Sequence, residues 1–361
     1  MKIAYFVNSF NSINWGGQAT SFGIKKLVND NYPDSEFTPI TLPSFPMKKI
    51  KIIRSFWEKK LAYAILEDNE SKILFYLSKL NIKEPFFNEF DTVCFNGEGA
   101  IHSKSGHLIR LMGILVMFKK KGAYVSALNQ TVDLGDNILL KKLVKKVYSQ
   151  VDFLAVREPV SQRELNSLDL YPEVIGDAAY ALDRLKKIEI EELVSDLELP
   201  KKFIVITGSS YLSRDKQSIN LMEALICDIK RNYNSIPLYF LANTKTDIYL
   251  ANKLISKFKY KIFASPEKYD KAMAVISKAY LVVGGRQHPN IFAAKYSVPF
   301  IPLKGNTHKM EGVVELLNYP INVLSWGDSR SLKNEVDKIE IIRTNLYDNV
   351  KVPVIKKIKL K

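Results

Sequence analysis

Short apolar runs alternate along the whole chain with longer stretches whose apolar positions recur at helical spacing. "KIAYFV" reads as a first strand, followed by the polar loop "NSFNSINWGGQATS" and a helix at "FGIKKLVND". Residues 55–82 read as helical, "DTVCFN" as a buried strand ending in "GEGAIHS", and a helix runs from about Gly106 to Lys120. "AYVSALN" and "DFLAVRE" are further strands, with helices at "NILLKKLVKKVYSQ" and "PVSQRELNSL", and "EVIGDAAYAL" closes this half. A second series begins at "KFIVITGSS" and continues through "IPLYFLAN", "YKIFAS", "YLVVGGR" and "PFIPL", again with helices between the strands. Strand–helix alternation throughout predicts two doubly wound, Rossmann-like α/β domains facing across a cleft. The expected boundaries are 1–182 for the N-terminal domain, 183–201 for a linker and 202–330 for the C-terminal domain. Residues 331–361 form a C-terminal extension with a basic tail.

In such sheets ligands bind at the carboxyl ends of the strands, so the loops there hold the candidate chemistry. "GGRQHPN" offers Gly284 and Gly285 for a tight turn with close backbone approach, then Arg286, Gln287 and His288 at a helix start. The guanidinium is a planar donor for phosphate or carboxylate, and the imidazole can donate or carry a proton. The structural alternative is Arg286 paired with a carboxylate and His288 as a buried cap. Lys309 opens the helix one strand later and can add a point charge, or be a solvated loop residue. Arg157 ends a strand in the first half and is a candidate opposite jaw of an anion clamp. In "NGEGAIHS", Glu98 is flanked by glycines with His102 close behind, a candidate general base or a structural cap.

Net charge is +15, from 53 Lys and Arg against 38 Asp and Glu. The basic residues are dispersed, and no helix-turn-helix, zinc-finger or RNA-recognition signature accompanies them, so nucleic acid is not expected. "IKIIRSFWEKKL" mixes basic and aromatic residues on an expected helix, which predicts peripheral contact with an anionic membrane. No apolar run reaches membrane-spanning length, and "MKIAYFVNSF" lacks the features of a signal peptide. Cys94 and Cys227 lie far apart in apolar surroundings, as expected for reduced thiols in the cytoplasm. Four histidines and two cysteines fall in no metal-binding spacing, so no metal site is expected. Walker, dinucleotide GxGxxG and GxSxG patterns are absent.

The ordered set "NGEG", "VRE" before a helix, "IGDAAYAL" and above all "GGRQH…A…VPFIPL…HK…G" resembles the polysaccharide pyruvyltransferase superfamily. The match runs from about Asn96 to Gly312, and the C-terminal motif is its specific part. The resemblance implies a GT-B-like pair of domains, acceptor side first and donor side second. It also implies transfer of pyruvate from phosphoenolpyruvate to a sugar in exopolysaccharide, capsule or lipopolysaccharide synthesis. By position, Arg157, Arg286, His288 and Lys309 would hold phosphoenolpyruvate, with Gln287, Gly284 and Gly285 in the same turn. His288 would protonate its methylene carbon. Glu98 is the candidate base, and departs from the plain glycine-rich family loop.

That departure leaves a rival open. GT-B glycosyltransferases using CMP-sugars carry a His-Pro pair at a helix start and an acidic residue before glycine, as His288-Pro289 and Glu98-Gly99 do here. A third possibility, ranked last, is a non-catalytic protein that binds an anionic glycan or nucleic acid. Neither chemistry requires a cofactor or protein-bound metal. The acceptor, a sugar or lipid-linked glycan, is expected against Phe10, Trp15, Gln18, Glu98 and His102. Location is expected in the cytoplasm, with peripheral contact at the inner face of the plasma membrane. Oligomeric state is not legible.

Overall fold

The computed structural model describes residues 1–7, 9–41, 51–82, 84–103, 107–258, 260–263 and 268–361. The chain divides into two compact units: Met1–Asn8, Ile24–Asp177 and Ile355–Lys361 form the first, Ser9–Gly23 and Ala178–Val354 the second.

The first unit is built on six parallel strands: β1 (Lys2–Phe6), β2 (Glu36–Pro39), β3 (Thr92–His102), β4 (Tyr124–Asp133), β5 (Phe153–Val156) and β6 (Glu173–Val174). Their order is β2-β1-β3-β4-β5-β6. The strands alternate with α1 (Trp15–Asn31), α2 (Lys51–Leu66), α3 (Glu70–Lys79), α4 (Leu108–Lys120), α5 (Ile138–Tyr148) and α6 (Pro159–Asn166). Strands β1 and β4, and β3 as far as Gly97, are almost wholly buried, as runs in a parallel sheet covered on both faces must be. Phe118 of α4 is met edge-on by Phe6, Phe86 and Phe87 at the centre of this core. The long helix expected over 55–82 is broken: Asp68 is left-handed (φ 56°) and Asn69 caps α3 by accepting from Lys72 N.

The second unit carries β7 (Ile204–Ser209), β8 (Leu238–Leu241), β9 (Lys261–Phe263), β10 (Leu281–Gly285) and β11 (Phe300–Pro302), all parallel, in the order β11-β10-β7-β8-β9. Its helices are α7 (Lys187–Leu193), α8 (Lys216–Asn232), α9 (Lys245–Phe258), α10 (Tyr269–Ser277), α11 (Gln287–Lys295), α12 (Lys309–Leu317) and α13 (Ser329–Asn349).

The units are not the linear halves expected from the sequence. The first half of α1 belongs to the second unit, where Trp15 is fully buried, stacks on Phe292 and donates Nε1–H to Ala242 O. Residues from Ala178 onward belong there too, because the buried Lys295 ammonium donates to the carbonyls of Tyr180 and Leu182. The expected linker carries α7, tied to α10 and the residue after it by Lys271–Asp196 and Lys278–Glu191 pairs. The basic tail returns to the first unit. Ile358 and Leu360 are buried, and Leu360 exchanges hydrogen bonds with Thr92 and Tyr32. Its apolar positions alternate with lysines, so one side of the tail is held while the lysines stay wet.

Candidate active site

The carboxyl ends of β11, β10, β7 and β8, four neighbouring strands, carry the expected anion-binding residues of the second unit. Strand β10 is buried throughout and its register against β7 shifts between Val283 and Gly285. The two glycines are required by neighbouring protein. A Cβ on Gly284 would lie 2.1 Å from Thr207 Oγ1, and one on Gly285 2.5 Å from Ser209 Oγ and 2.8 Å from Lys304 O. This corrects their expected role in close approach to a ligand: β7 and the residue-304 loop fill that space.

Arg286 is the N-cap of α11, and no side chain caps the helix. Its guanidinium grips Asp247 side-on, with Nε 3.1 Å from Oδ2 and Nη2 2.8 Å from Oδ1, and Nη2 also donates to Thr244 Oγ1 at 2.8 Å. The structural alternative for Arg286, a carboxylate partner, is therefore realised. The pairing uses the Nε–Nη2 edge and Thr244 takes the second Nη2 hydrogen, so the two N–H groups of Nη1 are what Arg286 has left for an anion. Asp247 is fully buried and also accepts from the backbone amides of Asn243 and Thr244. A Cβ on Gly208 would lie 2.0 Å from Asp247 Oδ1, so that glycine makes room for the carboxylate.

In the first turn of α11, Gln287 Nε2 and both side-chain amide atoms of Asn290 are buried without a hydrogen-bond partner. Leaving such groups unmatched costs about 1–3 kcal/mol each. An uncapped helix start beside unsatisfied amides suits an acceptor-rich anion.

His288 is 9% exposed, and its Nε2 lies 3.0 Å from Thr20 Oγ1, which also bonds Gly16 O. A Cβ on Gly16 would lie 2.2 Å from His288 Nδ1 and 2.6 Å from Cγ, so both ring nitrogens face α1. Gly16→Ala is expected to push the imidazole out of place and lower turnover about 100-fold, the usual scale for an ångström of misplacement. Circular dichroism should be unchanged, since alanine favours the helix. Wild-type kcat/KM in this variant would show that the ring's position is immaterial.

Lys309 opens α12 with its ammonium 2.7 Å from Ser210 Oγ and 2.9 Å from Asn306 Oδ1. It is half-buried and stands at the end of β7, on the same rim as Arg286.

In the first unit, backbone strain collects on three adjacent strands. Val7, just past β1, and Glu98 and Asn129, within β3 and β4, have φ of 59°, 37° and 56°. Non-glycine residues adopt this region rarely and at a cost of about 1–3 kcal/mol each. Glu98 sits where the β3–β4 register breaks. Asn129 Nδ2 donates to Asn96 Oδ1 at 2.8 Å, and Asn96 Nδ2 donates to Tyr5 Oη and, at 3.2 Å, to Glu98 Oε1. Desolvation raises the Glu98 carboxyl to about 7; Arg157 and the Asn96 hydrogen bond pull it down, Asp177 pushes it up. Arg157 is 3% exposed, bonded to Asp177 at 3.0 Å and Thr131 at 2.8 Å. It belongs to the first unit, whereas Arg286, His288 and Lys309 belong to the second. His102 closes β3 opposite Asp133.

A family model described as polysaccharide pyruvyl transferase matches residues 14–306, most of the chain. The chain belongs to the polysaccharide pyruvyl transferase family. No curated protein matches the sequence. Among solved structures, the chain is similar to UDP-GlcNAc 2-epimerase from Neisseria meningitidis bound to UDP-GlcNAc. That match has a TM-score of 0.63 at 12% identity, over 99% of this chain and 96% of that one. It is similar also to Methanocaldococcus jannaschii UDP-GlcNAc 2-epimerase in complex with UDP-GlcNAc and UDP, with TM-score 0.59 at 16% identity, over 98% and 95% of the two chains. At such identities the likeness shows the fold, two Rossmann-like domains of GT-B-like kind.

In this pyruvyl transferase family member, the structure gathers Arg286, Gln287, His288 and Lys309 on one rim. Trp15 and Gln18 are corrected as acceptor contacts. Trp15 has no exposed surface, and Gln18 is a buried tie that donates to Ser12 O and accepts from Tyr269 N. Phe10 packs edge-on against Phe22. Thr20, Thr244, Asp247 and Asn290 were missed. Each is a short polar residue in or beside a helix start, and only its partner in space distinguishes it from an ordinary cap.

Proposed function

We propose that this protein transfers pyruvate from phosphoenolpyruvate to hydroxyls of a sugar during surface-polysaccharide synthesis in the cytoplasm. The observation that carries the reading is the uncapped start of α11, where Arg286 offers its Nη1 and the buried amides of Gln287 and Asn290 lack partners. Phosphoenolpyruvate has a phosphate and a carboxylate, roughly three negative charges at neutral pH, and suits such a site with Lys309 beside it. Family membership supports the same donor.

In this reading His288 supplies a proton to the methylene carbon, making the adjacent carbon electrophilic. To do so, its Nε2 must exchange Thr20 for the donor by turning the ring. A sugar hydroxyl adds to that carbon and gives up its proton to a base, for which Glu98 has suitable properties. A second hydroxyl then displaces inorganic phosphate, its proton leaving with the phosphate, and closes the ketal. Arg157, locked to Asp177, is assigned to orienting the first unit's loops and to the field around Glu98.

A second reading is glycosyl transfer from a nucleotide sugar. The similar epimerases are described with UDP or UDP-GlcNAc bound, and the His288-Pro289 helix start suits a nucleotide phosphate equally well. Thermal unfolding with phosphoenolpyruvate, CMP, UDP, CMP-sugars and UDP-GlcNAc separates the two. A ligand at 100 times its Kd stabilises by about 2.7 kcal/mol. The expected result is a shift with phosphoenolpyruvate, lost in Arg286→Ala. A shift with a nucleotide and none with phosphoenolpyruvate would replace pyruvyl by glycosyl transfer.

A further inference from the structure

Helices α2 and α3 bury one face and leave the other bare. Leu61, Ala62, Ala64, Ile65, Ile73 and Leu77 point into the core of the first unit with almost no exposure. On the outer side, Ile53 is 52% exposed, Phe56 51%, Tyr63 46% and Phe75 50%. Helical spacing places Ile53, Phe56, Lys60 and Tyr63 on one stripe of α2. The rings form a continuous sheet across both helices: Trp57 meets Phe56 at 5.0 Å, Phe75 at 6.4 Å and Tyr76 at 5.9 Å between centroids. Two exposed lysines lie over this surface, Lys60 Nζ 5.7 Å from the Phe56 ring and Lys79 Nζ 5.1 Å from the Phe75 ring. Water gives no reason to leave so many neighbouring rings uncovered, and a contiguous apolar patch marks an interaction surface.

We propose that the outer face of α2 and α3 seats this protein on an anionic lipid surface, with Phe56, Phe75 and Ile53 dipping among the acyl chains and Lys60 and Lys79 at the headgroup phosphates. Lysine is depleted from the cores of protein–protein interfaces. Aromatic residues flanked by lysines are what the interface of a bilayer selects, because the ring takes the apolar side and the ammonium reaches back to the phosphates. The chain's net charge of +15 agrees in sign. Acidic groups near the patch are Glu58, paired with Arg54, and Glu67, paired with Lys72. Arg54 is thus held by Glu58 and not offered to lipid, contrary to the expectation from the sequence. The side chain of Lys51, the first basic residue of the stretch "IKIIRSFWEKKL", lies outside the described residues. Among the described residues no helix is long and apolar enough to cross a membrane, so the contact is one of lying on the surface.

The test is flotation of the full chain with vesicles of phosphatidylcholine, with and without phosphatidylglycerol, at low and high salt. Wild type is expected to float with the anionic vesicles and to be released by salt. Lys60→Gln/Lys79→Gln should lower partition about 25-fold, at about fivefold per lysine near an anionic surface. Phe56→Ser/Phe75→Ser should lose binding while keeping its melting temperature, because both rings already face water. Equal flotation of wild type and the lysine variant would overturn the proposal, as would equal recovery on neutral and anionic vesicles. So would light scattering that shows a dimer broken by Phe56→Ser/Phe75→Ser and no flotation of wild type; a second copy would then be the occupant.

Discussion

Replacing Asp247 by alanine is expected to destabilise the second unit by about 3–5 kcal/mol, the cost of stripping one partner from a buried ion pair. Asp247 has no exposed surface, and the Arg286 side chain is 12% exposed. The carboxylate accepts from Arg286 Nε and Nη2 and from the amides of Asn243 and Thr244. Its removal strands a charge, the buried N–H of Asn243 and the partly buried N–H of Thr244 at once. The measurement is chemical unfolding of wild type, Asp247→Ala and the double variant Asp247→Ala/Arg286→Met. The double variant should recover part of the lost stability, since the stranded guanidinium is gone, yet recover no donor binding. An Asp247→Ala midpoint equal to wild type would show that the pair is not structural. Recovery of donor binding in the double variant would remove Arg286 from the site.

Glu98→Gln should produce the other large effect, with opposite signs on activity and on stability. Loss of a general base lowers turnover by about 10²–10⁴-fold. For stability, burial raises the Glu98 carboxyl in the folded protein from an ordinary 4.5 to about 7. The folded state therefore holds a proton that the unfolded chain has released between those pH values. Stability from that proton is full below about pH 4.5, declines as pH rises, and is gone above about 7. Glutamine is spared this loss, so Glu98→Gln should melt higher than wild type at pH 8 and equally at pH 4.5. Wild-type activity should rise with pH through about 7 as the base is freed. A pH-independent difference in melting temperature would be incompatible with a desolvated carboxyl at this position.

Such a carboxyl could not have been read from the chain as a titrating group. "NGEG" reads as a turn at a strand end, because glycines flank a polar residue there, whereas β3 runs on through it to His102. Its properties come from burial first, then from Arg157 and Asp177, both distant in sequence, and from Asn96, which Asn129 holds in place from β4. The same holds for Arg286. Its place at the end of β10 follows from "YLVVGGR", whereas Asp247 arrives from the start of α9, 39 residues earlier, and looks there like any acidic residue in a helix's first turn.

By itself the sequence determined most of the strands and helices, though not β2 or the break at Asp68, together with the parallel sheets they build and the turn that presents Arg286, Gln287 and His288. Those features rest on local apolar spacing and on the few residues able to turn or start a helix, all present in a short window of chain. Tertiary structure alone decided which unit each segment joins, that Trp15 is core while Thr20 and Gly16 meet His288, and which nitrogen of Arg286 remains for a ligand. It also decided that the lysine-bearing tail is pinned through Leu360 while the aromatic face of α2 and α3 is left bare. A side chain's partner is set by packing between segments far apart in the chain, and hydrophobic periodicity records only that a face is buried, never against what.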